Sequence, residues 1–398
     1  MHNDTHPAWN ALRPCDAHMH LYAGRRFGWN LQFARGYRAW FGLDKLALLA
    51  LPESSHYRGR DDAANLRCLA VKAALNAEDP SHPAYALAGL ILREGDPAAA
   101  AADYAEQARR SLAVGYDGFK SLLGKPTLRR RAGIGPDDPS FDPFYDVLEE
   151  TGRPFVLHAG DPANFWDPET CPPGCREQGW FYGDPSFLSL AEIRREAENI
   201  LRKHPSLHAT FAHVFFLGEE PDEAERLLSA YPNLGLDLAP GWEMHVGFTK
   251  FRDRWHDLFE RYRDRFYFAT DSANWHASDD LSTYDYNFRW MVDLVRNAVE
   301  GDEPFESECD DRVYRFAGLG LSAETREAVQ RGNFLRRFGA GPAPVDRDAA
   351  LDDVRRLLAV YEAGRPEPTM PDAYEASLPI LRRWAASPDA LFAPEPLS

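Results

Sequence analysis

The chain repeats one pattern eight times: a short, continuous apolar run, then a stretch with helical spacing. The runs are Cys15–His20, Leu46–Leu51, Tyr85–Leu92, Tyr116–Leu123, Phe155–His158, Leu207–Val214, Leu234–Leu238 and Phe266–Asp271. A strand with one wet face alternates polar and apolar residues. These runs do not, so they read as parallel strands covered on both faces. Helices are expected over Asp61–Ala77, Pro97–Val114, Pro143–Thr151, Ser189–Lys203, Glu220–Ala230 and Phe251–Tyr262, with Asp61 or Asp62 capping the first and Pro97 opening the second. Eight such units predict an α/β chain folded as a (β/α)8 TIM barrel, with an open doubly wound sheet as the alternative. The glycine pattern Gly318–Ala323 follows the charged segment DRVYRFA and not a strand, so it reads as a loop whose Ser322 caps a helix, not as a dinucleotide site. From Ser322 onward the pattern is helical, over Ser322–Phe338, Asp346–Glu362 and Asp372–Ala386, with no Ser/Gly linker. The expected organisation is a barrel over 1–340 and extra helices packed on it over 341–398.

Composition narrows the partners. Lys plus Arg at 45 against Asp plus Glu at 62 gives a formal net charge of −17, which repels phosphate backbones and anionic membranes and argues against nucleic acid or membrane partners. The basic triplet Arg129–Arg131 sits in a Gly/Pro-rich segment and is expected in a solvated loop. The N-terminal MHNDTHPAWN lacks the pattern of a secretory signal, and no run approaches the roughly 18 apolar residues of a membrane span. Five scattered cysteines fit free thiols in a reducing cytoplasm. Cys171 and Cys175, in CPPGC, lack the second pair of a zinc ribbon and read as loop cysteines.

A barrel of this kind carries its chemistry at the C-terminal strand ends. There the sequence places His18 and His20 on strand 1, Lys120 on strand 4, His158 on strand 5, His213 on strand 6 and Asp271 on strand 8. The i, i+2 spacing of His18 and His20 puts both on one strand face. A core strand end has no structural need for imidazoles or a carboxylate, and burying them is costly unless they are paired or metal-bound. Together they predict a divalent-metal centre. Imidazole and carboxylate donors without thiolate suit Zn, Mn or Fe, with zinc leading. His208, early in strand 6, reads as structural.

Five segments carry a resemblance: Asp16-Ala17-His18-Met19-His20, Leu157-His158-Ala159, Phe211-Ala212-His213-Val214, Ala269-Thr270-Asp271-Ser272 and the tail Gly332–Gly339. Over residues 11 to 339 the chain resembles the amidohydrolase superfamily, in its amidohydrolase 2 branch of aminocarboxymuconate-semialdehyde decarboxylase-like enzymes. The resemblance implies that His18, His20 and Asp271 bind a first metal ion. His158 joins them or turns to a second ion, and His213 polarises the substrate oxygen or binds that second ion. Lys120 either carries a carbamate bridging two ions or stays charged and binds a substrate carboxylate or a neighbouring acid; the branch is usually mononuclear, which weighs against the bridge. A divalent ion lowers the pKa of bound water, and Asp271 would take the water's proton and pass it to the leaving group.

The connection Gly160–Pro185 is long and carries Asn164, Phe165, Trp166, Trp180, Phe181 and Tyr182. Such a loop serves as a lid or as a homo-oligomer contact, and Trp166 could stack on a planar substrate. Trp242 and His245 follow strand 7. Arg93 with Glu94 follows strand 3, and His56, Tyr57 and Arg58 follow strand 2; Arg93 and Arg58 are candidates for gripping a substrate carboxylate. The leading functional reading is a metal-dependent hydrolase of an amide, lactone or ester bond in a small, carboxylate-bearing molecule. The alternatives are a non-oxidative decarboxylase and a catalytically silent barrel that binds a partner.

Overall fold

The structure, a computed structural model, describes residues 12–22, 27–53, 60–92, 96–274, 286–301, 303–309, 312–367 and 369–391. Nine parallel strands are hydrogen-bonded in one sheet: β1 (Cys15–His20), β2 (Lys45–Leu49), β3 (Ala84–Gly89), β4 (Gly118–Gly124), β5 (Phe155–Ala159), β6 (Ala209–Phe211), β7 (Leu234–Asp237), β8 (Phe266–Tyr267) and β9 (Ser272–Ala273). Their order is β8-β7-β6-β5-β4-β3-β2-β1-β9. β8 pairs with β7 and β9 pairs with β1, while Ala17 N donates to Phe268 O at 3.0 Å between them. The expected eighth strand is therefore one stretch broken in the middle, and its two ends close a (β/α)8 TIM barrel. β1, β2, β3, β5, β6 and β7 are buried at every position, which is why their sequences run apolar without alternation.

Helices Ala64–Glu78, Pro97–Val114, Asp142–Thr151, Leu190–Lys203, Pro221–Ala230 and Arg252–Arg261 fall where periodicity places them. Asp96 caps the second of these, and Ser189 with Glu192 forms a reciprocal capping box on the fourth. Two expectations are corrected. Neither Asp61 nor Asp62 caps Ala64–Glu78, whose N-cap position is Ala63; Asp61 pairs with Arg67 at 2.7 Å, and Asp62 pairs with Arg60 and accepts from the Thr369 hydroxyl at 2.8 Å. Arg129–Arg131 lies on the helix Pro126–Ala132, opened by its proline and ended by left-handed Gly133 (φ 72°), with Arg129 held by Glu196 at 2.9 Å and Arg131 by Glu53 at 3.2 Å.

Several further elements went unread in the sequence, among them a helix and a two-stranded ribbon. The Gly- and Arg-rich segment after β1 contains the helix Phe27–Trp40. The charged segment DRVYRFA includes a strand, β11 (Arg312–Ala317), paired antiparallel with β10 (Pro304–Cys309). Charged residues did not preclude the strand because Arg315 takes the exposed side of a two-stranded ribbon, outside the barrel sheet, whose other side buries Phe316. Ser322 caps Ala323–Glu327 as expected, accepting from Thr325 N.

The barrel interior holds a compact apolar set including Ala17, Ala47, Leu87 and Val156, packed against Phe334 and Phe338 of the helix Asn333–Phe338. The C-terminal helices Arg347–Glu362 and Pro371–Ala386 contribute Tyr361, Leu381 and Trp384 to the same buried cluster as the helices around the barrel. Among the described residues no helix is long and apolar enough to cross a membrane. Cys15, Cys68, Cys171 and Cys175 are free thiols.

Candidate metal centre

Pairing of β1 with β2 slips between Asp16 and Met19. The slip changes the side-chain alternation, so that His18 and His20 take up the inward direction that Cys15 and Ala17 hold lower in the strand. Their Nε2 atoms lie 3.0 Å apart. Asp271 Oδ1 stands 3.4 Å from His18 Nε2 and 3.2 Å from His20 Nε2, with 31% of the Asp271 side chain open to solvent. These three residues can hold one metal ion.

Protonation can be argued from the partners. His20 Nδ1 donates to Leu49 O at 2.7 Å. His18 Nδ1 lies 2.8 Å from Asp237 Oδ2, a carboxylate that can only accept, so Nδ1 carries the proton. Both Nε2 atoms therefore present lone pairs, converging on each other and on a carboxylate oxygen. Three Lewis bases facing one another repel unless a cation sits among them, and their donor types fit a divalent first-row ion.

A second convergence lies across the barrel. His213 Nε2 is 3.0 Å from His158 Nδ1. His213 Nδ1 donates to Ala239 O at 3.1 Å, and His158 Nε2 lies 3.3 Å from Asp161 Oδ1, so both facing nitrogens again carry lone pairs. Lys120 Nζ donates to His18 Nε2 at 3.1 Å, and the His18 and His213 rings are 5.5 Å apart. The structure thus brings His18, His20, Lys120, His158, His213 and Asp271 to one place.

Burial dominates the electrostatics. It pushes His18 down to about 4, helped by Lys120, and His213 down to about 3, helped by His158; His158 is also lowered. Burial draws the Lys120 ammonium down to about 8 against the opposing pull of Asp237 and Asp271. For Asp271 burial works upward, but His20 and the neighbouring histidines hold it well below the usual carboxylate range. His18, His158 and His213 stay neutral and the Asp271 carboxylate ionised at neutral pH, the states a metal ligand needs.

Backbone strain marks the same place. His213, Val214, Phe215 and Phe216 all have left-handed φ values, 58°, 51°, 56° and 53°, and Asp271 has φ 51°. For non-glycine residues this conformation is costly, most of all for β-branched Val214. His213 consequently lies in a turn just past β6, not on the strand. Asp237, at the end of β7, was missed in the sequence. It accepts from His213 N at 2.9 Å and Ala239 N at 3.1 Å besides holding His18, and burial raises its carboxyl less than His18 and His213 lower it, leaving it at about 2. A buried aspartate ending a barrel strand was the available signal.

Other predicted residues are placed as follows. Arg58 and Arg93 lie outside the described residues, as do His56, Tyr57 and Glu94. Trp166 packs within its own connection: its indole N–H donates to Leu188 O at 2.9 Å and its ring meets Tyr182 at 4.8 Å. Trp242 begins the helix Trp242–Lys250 after β7. On that helix, a Cβ added at Gly247 would stand 2.2 Å from Gly218 C, so glycine there permits close approach to the turn after β6. A cleft of about 360 Å³ lies between these segments, lined by Asn164, Phe216, Glu243 and Met244 among others. Phe216 joins the cleft to the centre, with its ring 5.5 Å from His158 and 5.1 Å from His213. His245 is buried against Phe248 and Phe316, and His208 is exposed.

Barrel, converging histidines and strand-end aspartate define a metal-dependent barrel enzyme. The Amidohydrolase family (Amidohydro_2) matches residues 15–340, and the chain belongs to it. No curated protein sequence matches. Similar solved structures include 5-carboxyvanillate decarboxylase from Novosphingobium aromaticivorans, complexed with manganese and 4-hydroxy-3-methoxy-5-nitrobenzoic acid, at 14% identity and TM-score 0.42 over 83% of this chain and 96% of that one. A second is 4-oxalomesaconate hydratase from Rhodopseudomonas palustris, at 14% identity and TM-score 0.44 over 88% and 99%. A third is a probable 2-pyrone-4,6-dicarboxylic acid hydrolase from Acinetobacter baumannii with citric acid bound, at 10% identity and TM-score 0.44 over 82% and 100%. The three are named for different reactions.

Proposed function

We propose that the protein is a metal-dependent hydrolase acting on an amide, lactone or ester bond of a small, carboxylate-bearing molecule. The observation that carries this reading is the convergence of His18 Nε2, His20 Nε2 and Asp271 Oδ1, each presenting a lone pair, within 3.4 Å of one another. They would hold one divalent ion, zinc first and manganese or iron next, and His158 with His213 offers a position for a second. When bound, such an ion supplies a water acidified toward neutrality and a charge that polarises the substrate. The remaining chemistry belongs to the chain. Asp271, partly open to solvent, accepts the proton of the attacking water and returns it to the leaving group. His213, neutral with Nε2 bare, lies beside Phe216 at the cleft and orients the substrate oxygen if no second ion occupies that nitrogen. Lys120, drawn toward neutrality, offers a free amine able to take up carbon dioxide as a carbamate; left unmodified it holds a substrate carboxylate. In this reading residues 1–340 are the catalytic barrel and 341–398 a packed extension.

Non-oxidative decarboxylation is the second reading, favoured by Lys120, whose Nζ stands 3.1 Å from His18 Nε2, where an ammonium would hold a substrate carboxylate. One experiment separates the two. Metal content and intact mass of the purified protein are measured together, followed by assays on panels of lactones, esters, amides and carboxylic acids. Two ions with a carbamate on Lys120 and bond cleavage by water support the hydrolase, whereas one ion, a bare lysine and carbon dioxide release support the decarboxylase. His18→Ala and Asp271→Asn should each lose turnover with an unchanged circular dichroism spectrum; near wild-type activity in either refutes the site.

A further inference from the structure

Asp161 follows β5 by two residues and is 3% exposed. Its carboxylate gathers donors from three parts of the chain. Lys125 Nζ, at the entry to the helix after β4, reaches both oxygens at 2.9 Å. Tyr182, near the far end of the connection Gly160–Pro185, donates its hydroxyl to Oδ2 at 2.6 Å. His158 Nε2 approaches Oδ1 at 3.3 Å. With the Lys125 ammonium on both oxygens and the Tyr182 hydroxyl donating to one, Asp161 stands as a carboxylate and can only accept. An acceptor at Nε2 obliges that nitrogen of His158 to carry the proton and leaves Nδ1 bare toward His213, 3.0 Å away.

The connection is fastened at the same point. Tyr182 is 1% exposed and packs against Phe165, Trp166 and Phe187, and Lys125 Nζ also lies 4.7 Å from the Trp180 ring. The carboxylate that fixes the tautomer of His158 is therefore the one on which the connection closes.

We propose that Asp161 is a positioning residue that couples the seating of the connection 160–185, through Tyr182, to the tautomer and aim of His158. The inference rests on the reading of His158 as a residue of the metal centre. With the connection seated, Tyr182 and Lys125 occupy the remaining lone pairs of Asp161 and lock its orientation. With Tyr182 withdrawn, the carboxylate can turn about its Lys125 contact, and His158 loses its fixed donor geometry. Outer partners of ligating histidines typically change metal affinity by about 10–100-fold when removed.

The test uses the full-length, metal-free protein labelled with 15N-histidine, and reads the ring nitrogens of His158 together with proteolysis within 160–185. In the wild type, Nε2 should be protonated and Nδ1 bare. Tyr182→Phe, which removes only one hydroxyl, should both speed cleavage in the connection and shift His158 toward a mixture of tautomers. Asp161→Asn should do the same and weaken zinc or manganese binding about 10–100-fold. A Tyr182→Phe protein whose connection loosens while His158 keeps the wild-type tautomer overturns the coupling, as does a wild type protonated at Nδ1. Because the tautomer is read without metal, a protein that binds no metal would sink the proposed function and leave this outcome legible.

Discussion

Asp237 gives the sharpest test of how the centre is built. Its carboxylate accepts three hydrogen bonds, from His18 Nδ1 at 2.8 Å, His213 N at 2.9 Å and Ala239 N at 3.1 Å. Asp237→Asn keeps the shape but exchanges one acceptor oxygen for an NH2 donor. If that NH2 faces the two backbone N–H groups, two buried donors lose their acceptor, at about 1–3 kcal/mol each. If it faces His18 instead, the ring must move its proton from Nδ1 to Nε2, which removes the lone pair aimed at His20 and Asp271. The second arrangement costs the chain less, so the variant should fold and bind metal poorly. Loss of an outer partner of this kind is worth about 10–100-fold in affinity, or about 1.4–2.7 kcal/mol. The assay titrates metal-free wild type and variant with zinc and with manganese against a competing chelator. Affinities equal within about twofold would refute the argument that Asp237 sets the state of His18.

The buried histidines predict how the metal-free protein responds to acid. Burial holds His18 at about 4, and His213 and His245 at about 3, against 6.5 for the unfolded chain. Below about pH 6.5 the unfolded state binds more protons, so stability is complete above that pH and is lost as pH falls toward 4, by on the order of 3 kcal/mol for each histidine. Asp16, raised by burial to about 6, works in the opposite direction over part of the window and offsets one histidine, not three. The urea midpoint of metal-free protein should therefore drop between pH 7 and pH 5, and a flat or rising midpoint contradicts the burial argument. Elsewhere, Lys72 donates to Gly115 O at 2.6 Å and Asp117 Oδ2 at 2.7 Å, both side chains of the pair being fully buried. Lys72→Met strands that carboxylate and should cost about 3–5 kcal/mol in denaturant unfolding; a loss under about 1 kcal/mol would show that Asp117 is satisfied by the amides of Ala86 and Ala343 alone.

The barrel was legible because burial on two faces writes a distinctive signature: β2, β3 and β5 appear as unbroken apolar runs bounded by helices with caps such as Asp96 and Ser189. Chemistry-bearing residues stood out against those runs for the same reason, since His158 and Asp271 have no business ending an apolar strand. What stayed hidden was set by contacts distant in sequence. Phe27–Trp40 is a helix because Phe33 and Tyr37 reach the core, a fact its glycine and arginine content obscures. Trp166 is tied by its N–H to Leu188 and by its ring to Tyr182, contacts 22 and 16 residues away that composition does not reveal. Asp237 and Asp161 matter through the histidines they orient, and no spacing rule links residue 237 to residue 18.

The slip in β1, the left-handed turn after β6 and the break between β8 and β9 belong to a single arrangement. Five non-glycine residues, His213 to Phe216 and Asp271, hold left-handed backbone, at roughly 1–2 kcal/mol each. Such strain persists only where the surroundings over-determine it. At His213 the anchor is Asp237, which accepts the His213 amide. At Asp271 it is Asp16, which accepts from Thr270 N at 3.2 Å, the Thr270 hydroxyl at 2.7 Å and the Tyr37 hydroxyl at 2.8 Å, and from His18 N at 3.0 Å. Each buried carboxylate thus holds one strained turn and one point on His18, its backbone for Asp16 and its ring for Asp237. The first histidine of the His18–His20 pair is consequently fixed from both ends of the ligand set, and His213 and Asp271 take their places relative to it. Four hydrogen bonds to a single buried aspartate offset much of the cost of the broken strand, and the break is what turns Asp271 toward His18 and His20 instead of leaving it in register with β1.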